Sequence, residues 1–297
     1  ATLQLAAAAA TCDYALFVGA SSGNVVEAAA MAPQAAGLKM YLNDTYGELR
    51  LGDVSDWADH LAAWPLDRAV VAHAEGPTAA AVIETARIVG RPIHICHVSS
   101  RSEIELIADA KNSGIAVTCE VAPHHLFLTE KDSHAIGERR STVRPPLASE
   151  DDQAALWQHL EVIDCFATDH APHLPAEKDS QTPPPGFPGL ETALPLLIDA
   201  VHRDLLTIDD LIWRMHDRPS EVFGLPTDDS TFVEVDEDHS WTISGAAMIS
   251  KAGWTPFEGR RVRGRVRRVV LRTEEVYKDG VIKALPGSGQ AIRTEKR

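Results

Sequence analysis

Cysteine is scarce in this chain of 297 residues: Cys12, Cys96, Cys119 and Cys165 are scattered through it without regular spacing. That excludes a disulfide-stapled scaffold and makes a reducing, cytoplasmic setting the expectation. Basic residues are outnumbered, 28 against 43 acidic, and a formal net charge of -15 repels a nucleic-acid backbone or an anionic membrane over most of the surface. The one basic run, Arg260 to Arg268, alternates Arg with Val and Gly, as a strand with a solvated face does. The apolar opening "ATLQLAAAAA" has no basic flank and runs straight into "TCDYALFVGA", so neither a membrane span nor a signal peptide is expected. A Gly-rich phosphate turn is missing too, which argues against a nucleotide-binding open sheet.

What the chain does contain is a repeating pattern. Short β-prone runs recur in "DYALFVGA", "GLKMYLN", "AVVAHAE", "PIHICHV", "IAVTCEV" and "DCFATDH". Helical patterns such as "DVSDWADHLAAW", "TAAAVIETARIVG" and "SRSEIELIADAKNSG" separate most of them. In the last of these Ile104, Ile107 and Ala108 share a face and Gly114 stops the helix. Strand then helix, repeated, predicts an α/β fold with a parallel sheet and its helices outside. Polar residues stand at the C-terminal ends of the strands: Asn43, His73, His97, Glu120 and Asp169. Converging polar ends are the arrangement of a (β/α)8 TIM-type barrel, whose active site lies at that face. From Leu225 the pattern turns β-rich, with Asp279-Gly280 as a tight-turn signal. The division expected is therefore a barrel over residues 1–224 and a small β appendage over 225–297. The Pro-rich "TPPPGFPGLET" reads as a stiff loop, and Trp57, Trp64 and Trp157 as packing between barrel and helices.

A single histidine beside a strand is most often a hydrogen-bonded core residue, but His73, His97 and Asp169 at three strand ends form an ensemble. Neutral imidazoles and a carboxylate suit zinc, and two neighbouring metals sharing a hydroxide would lower its pKa enough to make it a nucleophile near neutrality. A bridging ligand is then needed. Lys39, inside the apolar "AAGLKMYLN", could serve only if deprotonated or converted by carbon dioxide to a carbamate; as an ordinary surface lysine it would have no such role.

The runs "GLKMYLN", "VVAHAE", "HICHVSS", "CEVAPHHLFL", "VRPPL", "CFATDHAPH" and "PPPGFPGLETALPLL" closely resemble the dihydroorotase domain of the animal multienzyme that begins pyrimidine synthesis. The resemblance extends over nearly all of the chain. It implies a zinc-dependent amidohydrolase that interconverts N-carbamoyl-L-aspartate and L-dihydroorotate. In it Lys39 is the carbamylated bridge, His73 and His97 are ligands of one zinc, and Asp169 is a ligand of the other that also shuttles the proton. Cys96 and Glu120 could bind a further zinc, with Cys96 equally readable as a small core residue. Arg144 and His173 would hold the substrate carboxylates, and Asn43 to Leu49 would cover the substrate, with Thr45 and Tyr46 at the tip. The remaining histidines are weaker candidates. His124 and His125 are expected to support the site through hydrogen bonds, His170 to orient Asp169, and His94 to face outward or into packing.

The family pattern also has a His-x-His pair followed by Arg at the end of the first barrel strand, and no such run occurs here. By the resemblance, about six of eight barrel strands are present, and the expectation is a partial sequence, inactive alone, from an active parent. The resemblance further implies fusion to carbamoyl phosphate synthetase and aspartate transcarbamylase, and a homo-oligomer. Two rivals are a catalytically inactive dihydroorotase-like assembly domain and a related cyclic amidohydrolase such as a hydantoinase.

Overall fold

The computed structural model describes residues 2–45, 47 and 49–292. Six strands, β1 (Phe17–Gly19), β2 (Gly37–Tyr41), β3 (Ala69–His73), β4 (Ile93–Ile95), β5 (Val117–Val121) and β6 (Cys165–Phe166), pair in sequence order. Every pairing is parallel. The strands read as near-continuous apolar runs because a parallel sheet is covered on both faces: Leu38, Met40, Val70, Val71, Ala72, Ile93 and Ile95 are all buried.

Helices Val54–Ala63, Pro77–Val89 and Arg101–Asn112 cover the outside. Their buried stripes follow helical spacing, as with Ala79, Val82, Ile83 and Ala86 in one and Ile104 and Ile107 in another. Trp57 and Trp64 join the core, and Trp157 is half-buried against it. Among the described residues β1 and β6 do not pair, so the six strands form an open run of a barrel wall with its polar strand ends on one side.

Four antiparallel strands follow: β7 (Phe232–Thr242), β8 (Arg261–Leu271), β9 (Glu274–Lys278) and β10 (Val281–Ile282), in the order β10–β9–β8–β7. The Asp279-Gly280 turn joins β9 to β10, with both residues at positive φ and Lys278 paired to Val281. The basic run lies on β8, where Arg261, Arg263 and Arg265 are exposed and Val262 is buried. This sheet meets the helix Leu190–His202, where Arg263 N donates to Asp199 Oδ1 at 3.2 Å. Among the described residues no helix is long and apolar enough to cross a membrane.

Candidate active site

His73 ends β3, and His97 lies two residues beyond β4. Their rings meet edge to face with His73 Nδ1 2.8 Å from His97 Nε2. His73 Nε2 is 3.0 Å from Glu75 Oε1, and a carboxylate can only accept, so a neutral His73 carries its proton on Nε2 and turns the Nδ1 lone pair toward His97. Burial holds the His97 pKa well below the ordinary histidine value, with the Lys39 charge acting in the same direction, so His97 is neutral. Its Nδ1 is buried with no hydrogen-bond partner among the described residues.

His97 has φ 36 and Asp169 φ 44, left-handed conformations that non-glycine residues seldom adopt. Such strain gathers where the surrounding fold forces a side chain into a working position. Asp169 is half-buried, and burial together with the nearby Glu120 charge raises its pKa, while Lys39 and His73 act against the rise. A raised carboxyl pKa suits a group that both takes and releases a proton.

Lys39 points inward from β2. Its Nζ donates to Cys96 Sγ at 2.9 Å and lies 5.2 Å from the centre of the Tyr41 ring. Burial disfavours the ammonium, but the Cys96 sulfur and the Glu120 and Tyr41 oxygens outweigh it, leaving the pKa above the ordinary lysine value. Burial pushes the Cys96 thiol up to about 12, so Cys96 is a neutral thiol at pH 7. Glu120 is held below the usual carboxylate range: burial opposes this, and the His94 hydrogen bond, the Lys39 charge and the Cys96 hydrogen bond prevail.

His94 is buried with its ring 5.4 Å from that of Phe223, as the packing alternative has it, and differs from expectation in its hydrogen bonds. The register aligns Lys39, Val71, His94 and Thr118 across four strands, so all four side chains face the barrel interior. His94 Nδ1 is 2.8 Å from Thr118 Oγ1, and its Nε2 is 3.1 Å from Glu120 Oε2. His170 also differs: its Nδ1 accepts from Gly189 N at 3.0 Å and Leu190 N at 3.2 Å, capping the helix Leu190–His202 rather than orienting Asp169. His124 Nε2 and both ring nitrogens of His125 are buried without hydrogen-bond partners among the described residues, so the expected hydrogen-bonded support is not formed there.

Asn43 Oδ1 accepts from Glu75 N at 2.9 Å, which ties the loop after β2 to the loop after β3. Thr45 is half-buried in that first loop, and Tyr46 lies outside the described residues. Arg144 is exposed, with Nη1 donating to Val143 O at 3.4 Å. His173 is half-buried, with Nδ1 4.0 Å from Glu177 Oε2. Glu75 and Tyr41 escaped the sequence reading. Each lies two residues from a candidate, Glu75 after His73 and Tyr41 after Lys39, and in a strand that spacing returns a side chain to the same face.

The donor chemistry fits a metal in part. Two imidazoles converge, and a carboxylate bonds to one of them, as in many metal-binding histidines. Lys39 as an ammonium cannot ligate. Among the described residues no three His, Cys, Asp or Glu side chains come close enough together to hold a metal ion.

No family model matches the chain. It is 52% identical over 290 residues to the multifunctional protein CAD of Squalus acanthias, covering 98% of this chain and 13% of that protein. It is 38% identical over 221 residues to a dihydroorotase of Pyrococcus furiosus, covering 72% of this chain and 52% of that one. The chain thus spans only a small part of the first relative and about half of the second. Among solved structures, the inactive dihydroorotase-like domain of a Chaetomium thermophilum CAD-like multifunctional protein superposes with a TM-score of 0.81 at 29% identity, over 98% of this chain and 81% of that one. An L-hydantoinase from Arthrobacter aurescens superposes with a TM-score of 0.91 at 23% identity, over 97% and 75%, a likeness of fold. By sequence the chain belongs to the dihydroorotase-like proteins, and its fold is that of the TIM-type amidohydrolase barrels.

Proposed function

We propose that this chain is part of a dihydroorotase, which interconverts N-carbamoyl-L-aspartate and L-dihydroorotate, within a protein that also carries carbamoyl phosphate synthetase and aspartate transcarbamylase. The observation that carries the reading is the convergence of His73 and His97, with the half-buried Asp169 of raised pKa near His73. His73 and His97 would hold one zinc, and Asp169 with a carbamylated Lys39 a second. Cys96, which bonds to Lys39 and to Glu120, would with Glu120 hold a third. Bound zinc would supply Lewis acidity, making the carboxylate carbon more electrophilic in cyclisation and water more acidic in hydrolysis.

The chain's own residues would do the rest. Cyclisation forms a bond from the carbamoyl nitrogen to the carboxylate carbon, removes one proton from that nitrogen and expels one carboxylate oxygen, which leaves as water by taking up that proton and a second one from solvent. Asp169 takes the nitrogen's proton, and its raised pKa lets it hand that proton on to the departing oxygen. In the reverse direction it returns the proton to the leaving amide nitrogen. Arg144 offers a planar fork to a substrate carboxylate, and His173 a single ring N–H. The loop of Asn43, Thr45 and Tyr46 would exclude water above them.

The inactive assembly domain is the second reading, and the likeness to the inactive dihydroorotase-like domain of Chaetomium thermophilum favours it. The test takes the full natural polypeptide that contains this sequence and measures zinc content and dihydroorotate formation, for the natural protein and for Asp169→Ala. Two or more zinc ions per chain, with turnover lost in the variant, support the dihydroorotase. An intact, zinc-poor protein without turnover moves the assignment to the assembly domain. Turnover of hydantoin in place of carbamoyl aspartate would make it a hydantoinase.

A further inference from the structure

Lys178, the last residue of the short helix Pro175–Lys178, is fully buried. Its Nζ donates to three backbone carbonyls: Thr142 O at 2.7 Å, Pro184 O at 2.9 Å and Gly186 O at 3.1 Å. An ammonium is the one side-chain group with three donors on a single atom, and all three are used here. Burial lowers its pKa to about 8, still high enough to leave it charged at pH 7. The Phe187 and Trp254 rings lie 5.7 Å and 5.8 Å from the cation.

The three carbonyls belong to the two loops that flank the proposed substrate-holding residues. Thr142 is two residues before Arg144, and its carbonyl also accepts from Gly186 N at 3.1 Å. The second loop continues to Phe187, whose carbonyl accepts from Ala171 N at 3.0 Å, two residues before His173. Trp254 closes the ring by donating Nε1 to His173 O at 2.8 Å. Beside Lys178, Asp179 holds the approach to the first loop through a two-pronged pair with Arg140, at 2.7 Å and 2.6 Å. Gly186 leaves little slack, since at φ +136 an added Cβ would lie 2.5 Å from both the Cβ and the carbonyl oxygen of Ala171.

We propose that Lys178 is a positioning residue: by gathering the carbonyls of Thr142, Pro184 and Gly186 it locks the Arg144 and His173 segments into one block and so sets the separation of the two groups that grip substrate. The proposal rests on the dihydroorotase reading for the identity of the substrate and on the structure alone for the lock. Lys178 does not touch substrate. Loosening it therefore weakens ground-state and transition-state binding together, which raises KM and spares kcat.

The test is made in the full natural polypeptide. Lys178→Met is expected to raise KM for carbamoyl aspartate by about tenfold with kcat within about threefold of the natural protein. Hydrogen exchange read on the same variant is expected to lose protection at the bonded amides of Thr142, Ala171 and Gly186 and to keep it in β2 to β5. Gly186→Ala, which displaces the same loop from its far side and leaves the ammonium in place, carries the same expectations and decides the matter if Lys178→Met does not fold. A fall in kcat at unchanged KM overturns the proposal. So does unchanged exchange in the two loops, or a loss spread evenly through the core. If the natural protein turns over no carbamoyl aspartate, the dihydroorotase reading fails by itself, and the exchange result still decides whether Lys178 is the lock.

Discussion

A histidine that stays neutral in the core makes a protein sensitive to acid, and His124 shows how. It is buried between His125 and Phe187, with ring centroids 4.3 Å and 5.3 Å away, and burial lowers its pKa from 6.5 to about 3. The unfolded chain therefore takes up this proton as pH falls through 6.5, while the folded chain does not until about 3. Stability contributed by the neutral ring is present above pH 6.5 and is lost progressively down to about pH 3. By about pH 5 the loss from this one residue is about 2 kcal/mol. Urea midpoints at about pH 7 and about pH 5 should show it, and His124→Phe should flatten the difference by that amount. An equally steep dependence in the variant would place the acid sensitivity elsewhere. At this scale the sequence disclosed Lys39, His73, His97 and Asp169, because polar side chains at the ends of apolar runs stand out. It did not disclose Glu75 as the carboxylate that sets the His73 tautomer, because that role depends on the direction of a ring.

Between residues and the whole, Glu103 shows an element end serving the site. The helix Arg101–Asn112 opens with a capping box in which the Ser100 hydroxyl accepts from Glu103 N. The Glu103 carboxylate is itself buried and accepts from Ser99 N, Ser100 N and Gly76 N, at 3.1, 3.2 and 2.8 Å. The last bond fastens the loop behind His73 and Glu75 to the loop behind His97. Ser100→Ala should cost about 1 kcal/mol, an ordinary lost cap. Glu103→Ala should cost about 2–4 kcal/mol, because buried N–H groups from two loops lose their acceptor together. Chemical denaturation of both variants checks the ranking, and equal costs would mean that the Gly76 bond contributes nothing. The Ser-x-x-Glu spacing is plain in "SRSEIEL", whereas the reach to Gly76 across 27 residues is not.

Across the whole molecule, the contact between the helix Leu190–His202 and the antiparallel sheet is close. We propose residues 1–224 and 225–297 as two units, with Gly264 of β8 at one close approach between them. It has φ +91, and an added Cβ would lie 2.5 Å from Ile198 Cγ2, in the helix Leu190–His202. Trp241 Nε1 donates to the Gly264 carbonyl at 3.0 Å, and His202 Nε2 lies 2.8 Å from Glu237 O. Gly264→Val combines a left-handed backbone with overpacking and should cost about 2–4 kcal/mol. Limited proteolysis should then cut first near residues 225–231, and an unchanged cleavage pattern and midpoint would show that the two parts do not depend on this contact.

The order of elements was determined by the sequence alone. Alternation of apolar runs with helical stripes is a local property, so it predicted six parallel strands, their order and the β-rich end without reference to any distant contact. The tertiary structure decided which of the polar strand ends meet. His73 and His97 converge because the curvature of the wall brings β3 and β4 ends together, and His94 faces inward because inter-strand register aligns it with Lys39. Lys178 in sequence is one lysine among several. Only the fold brings three carbonyls from two separate loops to its ammonium, since backbone groups carry no sequence signature and their directions are set by how the chain closes around them.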